Sequence, residues 1–113
     1  MPILPSAVRV APTLVAKLPR VADLCLKHRV QRLALFGSGV SERFDKEAGS
    51  DLDFLAEFET MSPRDHADAY FGLMEDLQRL LGVPVDLVEA AAIRNPYFQE
   101  AIRNTQVVLF EAA

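Results

Sequence analysis

Two aspartates separated by one residue, Asp51 and Asp53, are the first feature of this chain with a clear chemical use. Residues two apart on a β-strand point to the same face, with Cα atoms roughly 6.6 Å apart. Their carboxylates can therefore lean over divalent cations about 3.5–4 Å apart, the spacing used in two-metal phosphoryl transfer. Mg²⁺ favours such oxygens and brings its own waters and substrate phosphates. Taken alone, the pair is equally compatible with two solvated carboxylates at a strand edge.

A glycine–serine pair, Gly37–Ser38, precedes these aspartates and directly follows an apolar run. The pattern predicts a strand, a turn and a helix that begins at the serine. Such a turn offers unpaired backbone N–H groups and a helix N-terminus to phosphate oxygens. Glycine lets the backbone approach a ligand closely, and the serine hydroxyl can donate to it. Most glycine–serine pairs are plain turns, but this position ahead of the paired aspartates indicates a phosphate-binding loop.

A third aspartate, Asp86, lies within the otherwise apolar segment VPVDLV. Its neighbours favour a β-strand, and aspartate does not. A partly buried carboxylate must find a donor or a cation, or else take up a proton. Beside a metal pair, Asp86 is a candidate third ligand or a base toward an attacking hydroxyl. The alternative, for this residue alone, is a surface-facing strand position.

The elements that must position these residues follow from apolar periodicity and capping signals. We expect an irregular leader over 1–12, a helix from near Leu18, strands over 32–36 and 51–58, a helix over 38–44, a helix from Ser62–Pro63 to Gly82, a strand over 83–88, a helix from Asn95–Pro96 to about Thr105, and a closing strand over 106–110. This order predicts a single α/β (α+β) domain spanning residues 1–113. Its small mixed β-sheet would have helices packed on one face.

Composition narrows the classes of function. Twelve basic and 16 acidic residues give a net charge of −4, which argues against tight nonspecific binding to nucleic acid. The single Cys25 cannot form an internal disulfide. No uncharged apolar run approaches the roughly 20 residues of a membrane helix, and the N-terminus lacks the order of a secretory signal. We therefore expect a cytoplasmic protein without membrane or direct nucleic-acid contacts.

The remaining conspicuous side chains are predicted to be structural. His28 and His66 have no ligand-like spacing and are expected at helix ends or on the surface. Cys25 and one stripe of the long helix are expected to pack in the core, and Tyr97 is a candidate for a protein interface. The residues assigned to that stripe are Ala67, Tyr70, Phe71, Met74, Leu77 and Leu81.

The composite pattern GSGVSERFDKEAGSDLDFLAEF, followed by VDLV after an amphipathic helix, resembles the minimal nucleotidyltransferase (MNT) domain. This domain belongs to the polymerase-beta-like superfamily, and the ending NPYFQEAIRNTQVVLFEA is similar to its short antitoxin-type form. The resemblance covers nearly the whole chain and implies the nucleotidyltransferase fold. It implies that Gly37 and Ser38 hold the nucleotide triphosphate. It also implies that Asp51, Asp53 and Asp86 are the catalytic carboxylates and carry Mg²⁺ in a two-metal site.

The resemblance further implies a reaction and a partner. Short domains of this type are often encoded beside a HEPN-domain toxin, an RNA-cleaving protein, and act as its antitoxin. The expected reaction is transfer of AMP from ATP to a hydroxyl of that toxin, a tyrosine by expectation, with pyrophosphate leaving. The chain would accordingly form a hetero-oligomer with the toxin and bind ATP as substrate.

One departure from the family pattern keeps other interpretations open. Family members often place arginine and then glycine a few residues after the glycine–serine pair, where this chain has Ser41 and Glu42. Arg43 is near, but one helical position is a rotation of about 100°. A non-catalytic antitoxin that neutralises its toxin by complex formation is therefore an alternative. A small-molecule nucleotidyltransferase, whose acceptor pocket forms at an oligomer interface, is another.

Overall fold

The structure, a computed structural model, describes residues 12–36 and 52–112. Several sequence predictions lie outside these residues: most of the leader, the Gly37–Ser38 loop, the helix over 38–44 and the position of Asp51.

The helices of the described residues match most of the predicted ones. They are the single turn α1 (Pro12–Val15), followed by α2 (Leu18–Lys27), α3 (Pro63–Leu81) and α4 (Pro96–Thr105). A short 3₁₀ turn, Ala90–Ala92, precedes α4. Within these described ranges, no helix is long and apolar enough to cross a membrane.

Local capping chemistry sets the ends of α3 and α4. The Ser62 hydroxyl accepts a hydrogen bond from the Asp65 N–H at 3.2 Å, and the Asn95 side chain accepts from the first N–H groups of α4. Proline follows each cap, where its missing N–H costs nothing. Gly82 ends α3 with φ 70°, in the left-handed region that favours glycine.

The four strands found in the described part of the chain form one mixed sheet with the order β3-β2-β1-β4. β1 pairs antiparallel with β2 and β4, whereas β2 pairs parallel with β3. The α/β class is confirmed. The strands are β1 (Val30–Phe36), β2 (Leu52–Phe58), β3 (Val85–Glu89) and β4 (Val107–Glu111).

The two faces of the sheet are covered unequally. Leu33, Leu35 and Phe54 point toward α2 and α3 and lie in the main core, as predicted for helices on one face. The alternate residues of β1 and β2 form a smaller cluster on the opposite face, where they pack against Ile102 of α4. α4 therefore lies on the opposite face of the sheet from α2 and α3, whereas the sequence predicted all the helices on one face. α4 can pack on this face because β1 carries apolar side chains on both of its faces.

The buried stripe of α3 differs from the predicted one. The buried residues are Ala69, Leu73, Leu77 and Leu81, with Tyr70 and Met74 partly buried beside them. Phe71 is 58% exposed, and Ala67 is also exposed, so their assignment to the core was wrong. Positions 71 and 73 are separated by about 200° around a helix. With Leu73 facing the sheet, Phe71 must face solvent.

Candidate active site

Asp53 and Asp86 lie side by side on neighbouring strands. Their Cα atoms are direct partners in the parallel pairing of β2 with β3, and adjacent strands are about 4.8 Å apart. In-register residues of such a pair project from the same face. Because Phe54 and Leu87 are buried toward α3, both aspartates project from the other face. Asp53 is half-buried and Asp86 is exposed. The structure thus brings two of the predicted carboxylates together.

The end of β1 extends this row toward the predicted phosphate loop. Phe36, the last residue of β1, is the Cα partner of Asp53. Gly37 follows it in sequence, so the last described residue before the predicted loop lies beside Asp53. The conformation of Gly37–Ser38 lies outside the described residues, and the phosphate-binding role of this loop stays a prediction. The same is true of Asp51, which immediately precedes β2.

Hard divalent cations suit the donor set on this face. Two carboxylates on adjacent strands repel one another, and a cation between them removes that repulsion. Within residues 12–36 and 52–112 there is no group of three or more His, Cys, Asp or Glu residues that could hold a metal ion. The described part of the site therefore contains two candidate oxygen ligands, Asp53 and Asp86. Asp51 is the candidate for the third.

α4 borders the site with aromatic side chains. The Phe98 ring packs edge-on against the Phe36 ring, with centroids 6.1 Å apart. The neighbouring Tyr97 is 82% exposed. The Asn95 cap fixes the backbone of both aromatic residues, since their N–H groups donate to its side-chain oxygen. The Phe98 ring therefore packs beside the residue that pairs with Asp53, and the exposed Tyr97 precedes it in the first turn of α4.

A cavity of about 270 Å³ lies farther along the same face of the sheet. Its walls include Leu55, two residues beyond Asp53, and Arg103 of α4. Arg32 also lines it and lies between two carboxylates, 3.6 Å from Glu57 and 3.4 Å from Glu111. This cavity was not predicted from the sequence. The available signal was the alternation of Arg32 with Ala34 and Phe36, which places the arginine on the face of the aspartates.

The two histidines lie on the opposite side of the sheet from the aspartates. His28 Nε2 is 2.7 Å from an Asp76 carboxylate oxygen, and His66 pairs with Glu89. Hydrogen bonds from His28 and then Lys27 lower the pKa of Asp76. Cys25 is buried in the core as predicted, and this burial raises the pKa of its thiol to about 12.

Relatives of known sequence point to one family. The family model described as "Nucleotidyltransferase domain" matches residues 19–109. Two proteins of Methanocaldococcus jannaschii named as protein adenylyltransferases are 36% and 40% identical over 76 residues. Each match covers 67% of this chain, and 73% and 72% of the respective relative.

Solved structures have the same fold. A structure named as a minimal nucleotidyltransferase has a TM-score of 0.61 and 32% identity, covering 91% of this chain and 98% of that one. A toxin–antitoxin complex of MntA and HepT gives a TM-score of 0.58 at 18% identity, covering 87% and 73%. A tri-AMPylated HEPN toxin of Shewanella oneidensis in complex with MNT antitoxin gives a TM-score of 0.58 at 19% identity, covering 87% and 72%. With its mixed sheet, its in-register aspartates and these relatives, the chain belongs to the nucleotidyltransferase domain family and is a nucleotidyltransferase.

Proposed function

We propose that this protein transfers AMP from ATP to a hydroxyl of a partner protein, in a reaction that depends on Mg²⁺. The observation that carries the proposal is the in-register pair Asp53 and Asp86. Phe36, the residue before Gly37, is the Cα partner of Asp53 on the adjacent strand β1. Two carboxylates on one face beside a candidate phosphate loop are what nucleotidyl transfer requires. The relatives named as protein adenylyltransferases support AMP as the transferred group and a protein as the acceptor.

In the proposed reaction, the candidate residues bind metal, bind phosphate or accept a proton. Asp51, Asp53 and Asp86 would hold Mg²⁺, which neutralises charge on the phosphates when bound. The backbone at Gly37 and the hydroxyl of Ser38 would hold the terminal phosphates. In the transfer, the acceptor oxygen bonds to the α-phosphorus and the bond to the bridging oxygen breaks, so pyrophosphate leaves. The exposed Asp86 accepts the hydroxyl proton.

The proposed partner is a HEPN-type toxin, with a tyrosine hydroxyl as acceptor, so that this protein acts as its antitoxin. Structures of similar fold include an MNT antitoxin in complex with a tri-AMPylated HEPN toxin. Another is described as a toxin–antitoxin with AMP-PNP, an analogue of ATP. These neighbours support both the identity of the partner and ATP as the donor nucleotide.

Intact-mass measurement of the candidate toxin tests this proposal. After incubation with ATP, Mg²⁺ and the wild-type protein, the toxin should gain the mass of one or more AMP groups. Asp53→Asn and Asp86→Asn should each slow this gain at least a hundredfold, because each removes a charged ligand. Asp68→Asn is the matched control, since it removes an exposed carboxylate on α3, away from the site.

A second candidate function is neutralisation of the toxin by binding alone, and Ser41–Glu42 in place of the family's arginine and glycine favours it. In that case the wild type and Asp53→Asn would inhibit the toxin equally, without any change in toxin mass. Transfer of AMP to a small hydroxylated molecule, such as an aminoglycoside, in the absence of a protein partner would instead support the small-molecule alternative.

A further inference from the structure

Among the strands of residues 12–36 and 52–112, β3 lies at the edge of the sheet and pairs with β2 alone. The Leu52 N–H donates to the Pro84 carbonyl at 3.1 Å, so the backbone groups of Pro84 face β2. Because these groups alternate along a strand, those of Val85 and Leu87 face away from the sheet. An edge strand normally leaves such groups to solvent or to another chain.

Two side chains of α3 pair with this outer edge of β3. The Gln78 side-chain oxygen accepts a hydrogen bond from the Val85 N–H at 3.1 Å. The Tyr70 hydroxyl donates to the Leu87 carbonyl oxygen at 2.7 Å. These two bonds hold the residues immediately before and after Asp86. Gln78 and Tyr70 lie two turns apart on α3, so one rigid helix fixes both sides of the aspartate.

α3 holds Asp86 in position through the backbone of its two neighbours, Val85 and Leu87. Val85 and Leu87 are buried toward α3, whereas the Asp86 side chain is exposed on the opposite face. Burial, and then the negative charges of Asp86 and Glu89, raise the pKa of Tyr70. The tyrosine therefore stays protonated at neutral pH and keeps its hydrogen bond to Leu87.

We infer that Tyr70 and Gln78 are positioning residues, which hold Asp86 in register with Asp53 by fixing the β3 backbone on either side of it. The inference rests on the proposed function, in which Asp53 and Asp86 share a metal-binding face. Metal and catalytic groups must be held within about 0.5 Å of their productive geometry. The last strand at a sheet edge, paired on one side, needs this second support more than a central strand does.

The test compares metal binding and turnover in matched variants. Binding of Mn²⁺ together with a nonhydrolysable ATP analogue is followed by water proton relaxation. Tyr70→Phe keeps the ring and removes the hydroxyl, and Gln78→Met keeps the length and removes the acceptor. Each should weaken Mn²⁺ binding about tenfold, the usual effect of losing an outer support, and should lower kcat while leaving KM for ATP unchanged.

Two further variants separate positioning from a loss of stability. Gln78→Glu retains an oxygen that accepts from the Val85 N–H, so it should bind Mn²⁺ at least as well as the wild type. Lys17→Met removes a hydrogen bond of the same kind, from the Lys17 ammonium to the Leu80 carbonyl at 2.9 Å, away from Asp86. It should leave Mn²⁺ binding unchanged.

The inference is overturned if Tyr70→Phe and Gln78→Met bind Mn²⁺ and turn over as the wild type does, or if Lys17→Met weakens binding by the same factor. It is also overturned if the wild type with the analogue binds no Mn²⁺. Failure of the proposed function gives a different pattern. Mn²⁺ binding then depends on Tyr70 and Gln78, but the wild type transfers no AMP to any candidate toxin.

Discussion

At the residue scale, Asp53 and Asp86 occupy unequal surroundings although they are in register. Asp53 lies on a strand paired on both sides and is half-buried, whereas Asp86 lies on the edge strand and is exposed. A carboxylate with less access to water needs a cation or a hydrogen-bond donor to stabilise its negative charge. Asp86 keeps a solvent-facing side where an incoming hydroxyl can approach. This difference fits a metal-holding role for Asp53 and an additional proton-accepting role for Asp86.

Metal-dependent thermal stability tests the aspartates directly. Mg²⁺ or Mn²⁺ should raise the Tm of the wild type, because a ligand that binds only the folded state stabilises it. At a hundredfold excess over Kd this amounts to about 2.7 kcal/mol, or roughly 10 °C for a chain of this size. Differential scanning fluorimetry should show no shift for Asp51→Asn/Asp53→Asn.

The control for this measurement is Asp23→Asn/Asp68→Asn, which removes two exposed carboxylates from α2 and α3. It should retain the wild-type shift. Equal shifts in the wild type and in Asp51→Asn/Asp53→Asn would mean that the metal binds elsewhere.

At the element scale, local chemistry was readable from the sequence and long-range pairing was not. The bounds of α4 were predicted as observed, because the Asn95–Pro96 cap is a local signal. The buried stripe of α3 was misassigned, since Phe71 suits either a core or an exposed position and periodicity alone does not choose between adjacent stripes. The register of Asp53 with Asp86 depends on a parallel pairing across a whole helix. Strand alternation could place each aspartate on a face, but it could not align the two strands.

The contact between α2 and α3 makes a prediction about their packing. A Cβ on Gly72 would lie 2.7 Å from Cε1 and 3.0 Å from Nδ1 of the His28 ring. Gly72→Ala should therefore displace the ring, break its bond to Asp76 and lower the free energy of unfolding by about 1–3 kcal/mol. Urea denaturation measures this change.

The same substitution in a His28→Ala background serves as the control, because the clash is then absent. There Gly72→Ala should raise the free energy of unfolding, since alanine is favoured over glycine inside a helix by about 1 kcal/mol. An equal loss of stability in both backgrounds would show that the ring is not the cause.

At the scale of the whole molecule, the sheet separates the side that holds the main core from the side that carries Asp53 and Asp86. α2 and α3 cover one face with the main core, while the aspartates, the cavity and α4 lie on the other. A protein acceptor must reach the aspartates from this second face. Its body would therefore cover the surface next to them, which includes the aromatic border at the start of α4. We therefore expect the exposed Tyr97, rather than an aromatic residue of α3, to contact a protein partner.

A matched pair of exposed aromatic residues tests this connection. Tyr97→Ser removes a side chain that is 82% exposed beside the site, and Phe71→Ser removes one that is 58% exposed on the α3 side. Buried aromatic residues often dominate protein interfaces, so Tyr97→Ser should weaken binding to the proposed toxin partner about tenfold or more. Phe71→Ser should bind as the wild type does, by calorimetric titration. Because both side chains are mostly exposed, both variants should keep a Tm close to that of the wild type. If Phe71→Ser weakens binding and Tyr97→Ser does not, the toxin docks on the helical side of the sheet, and its acceptor hydroxyl must reach the aspartates around the exposed edge of β3.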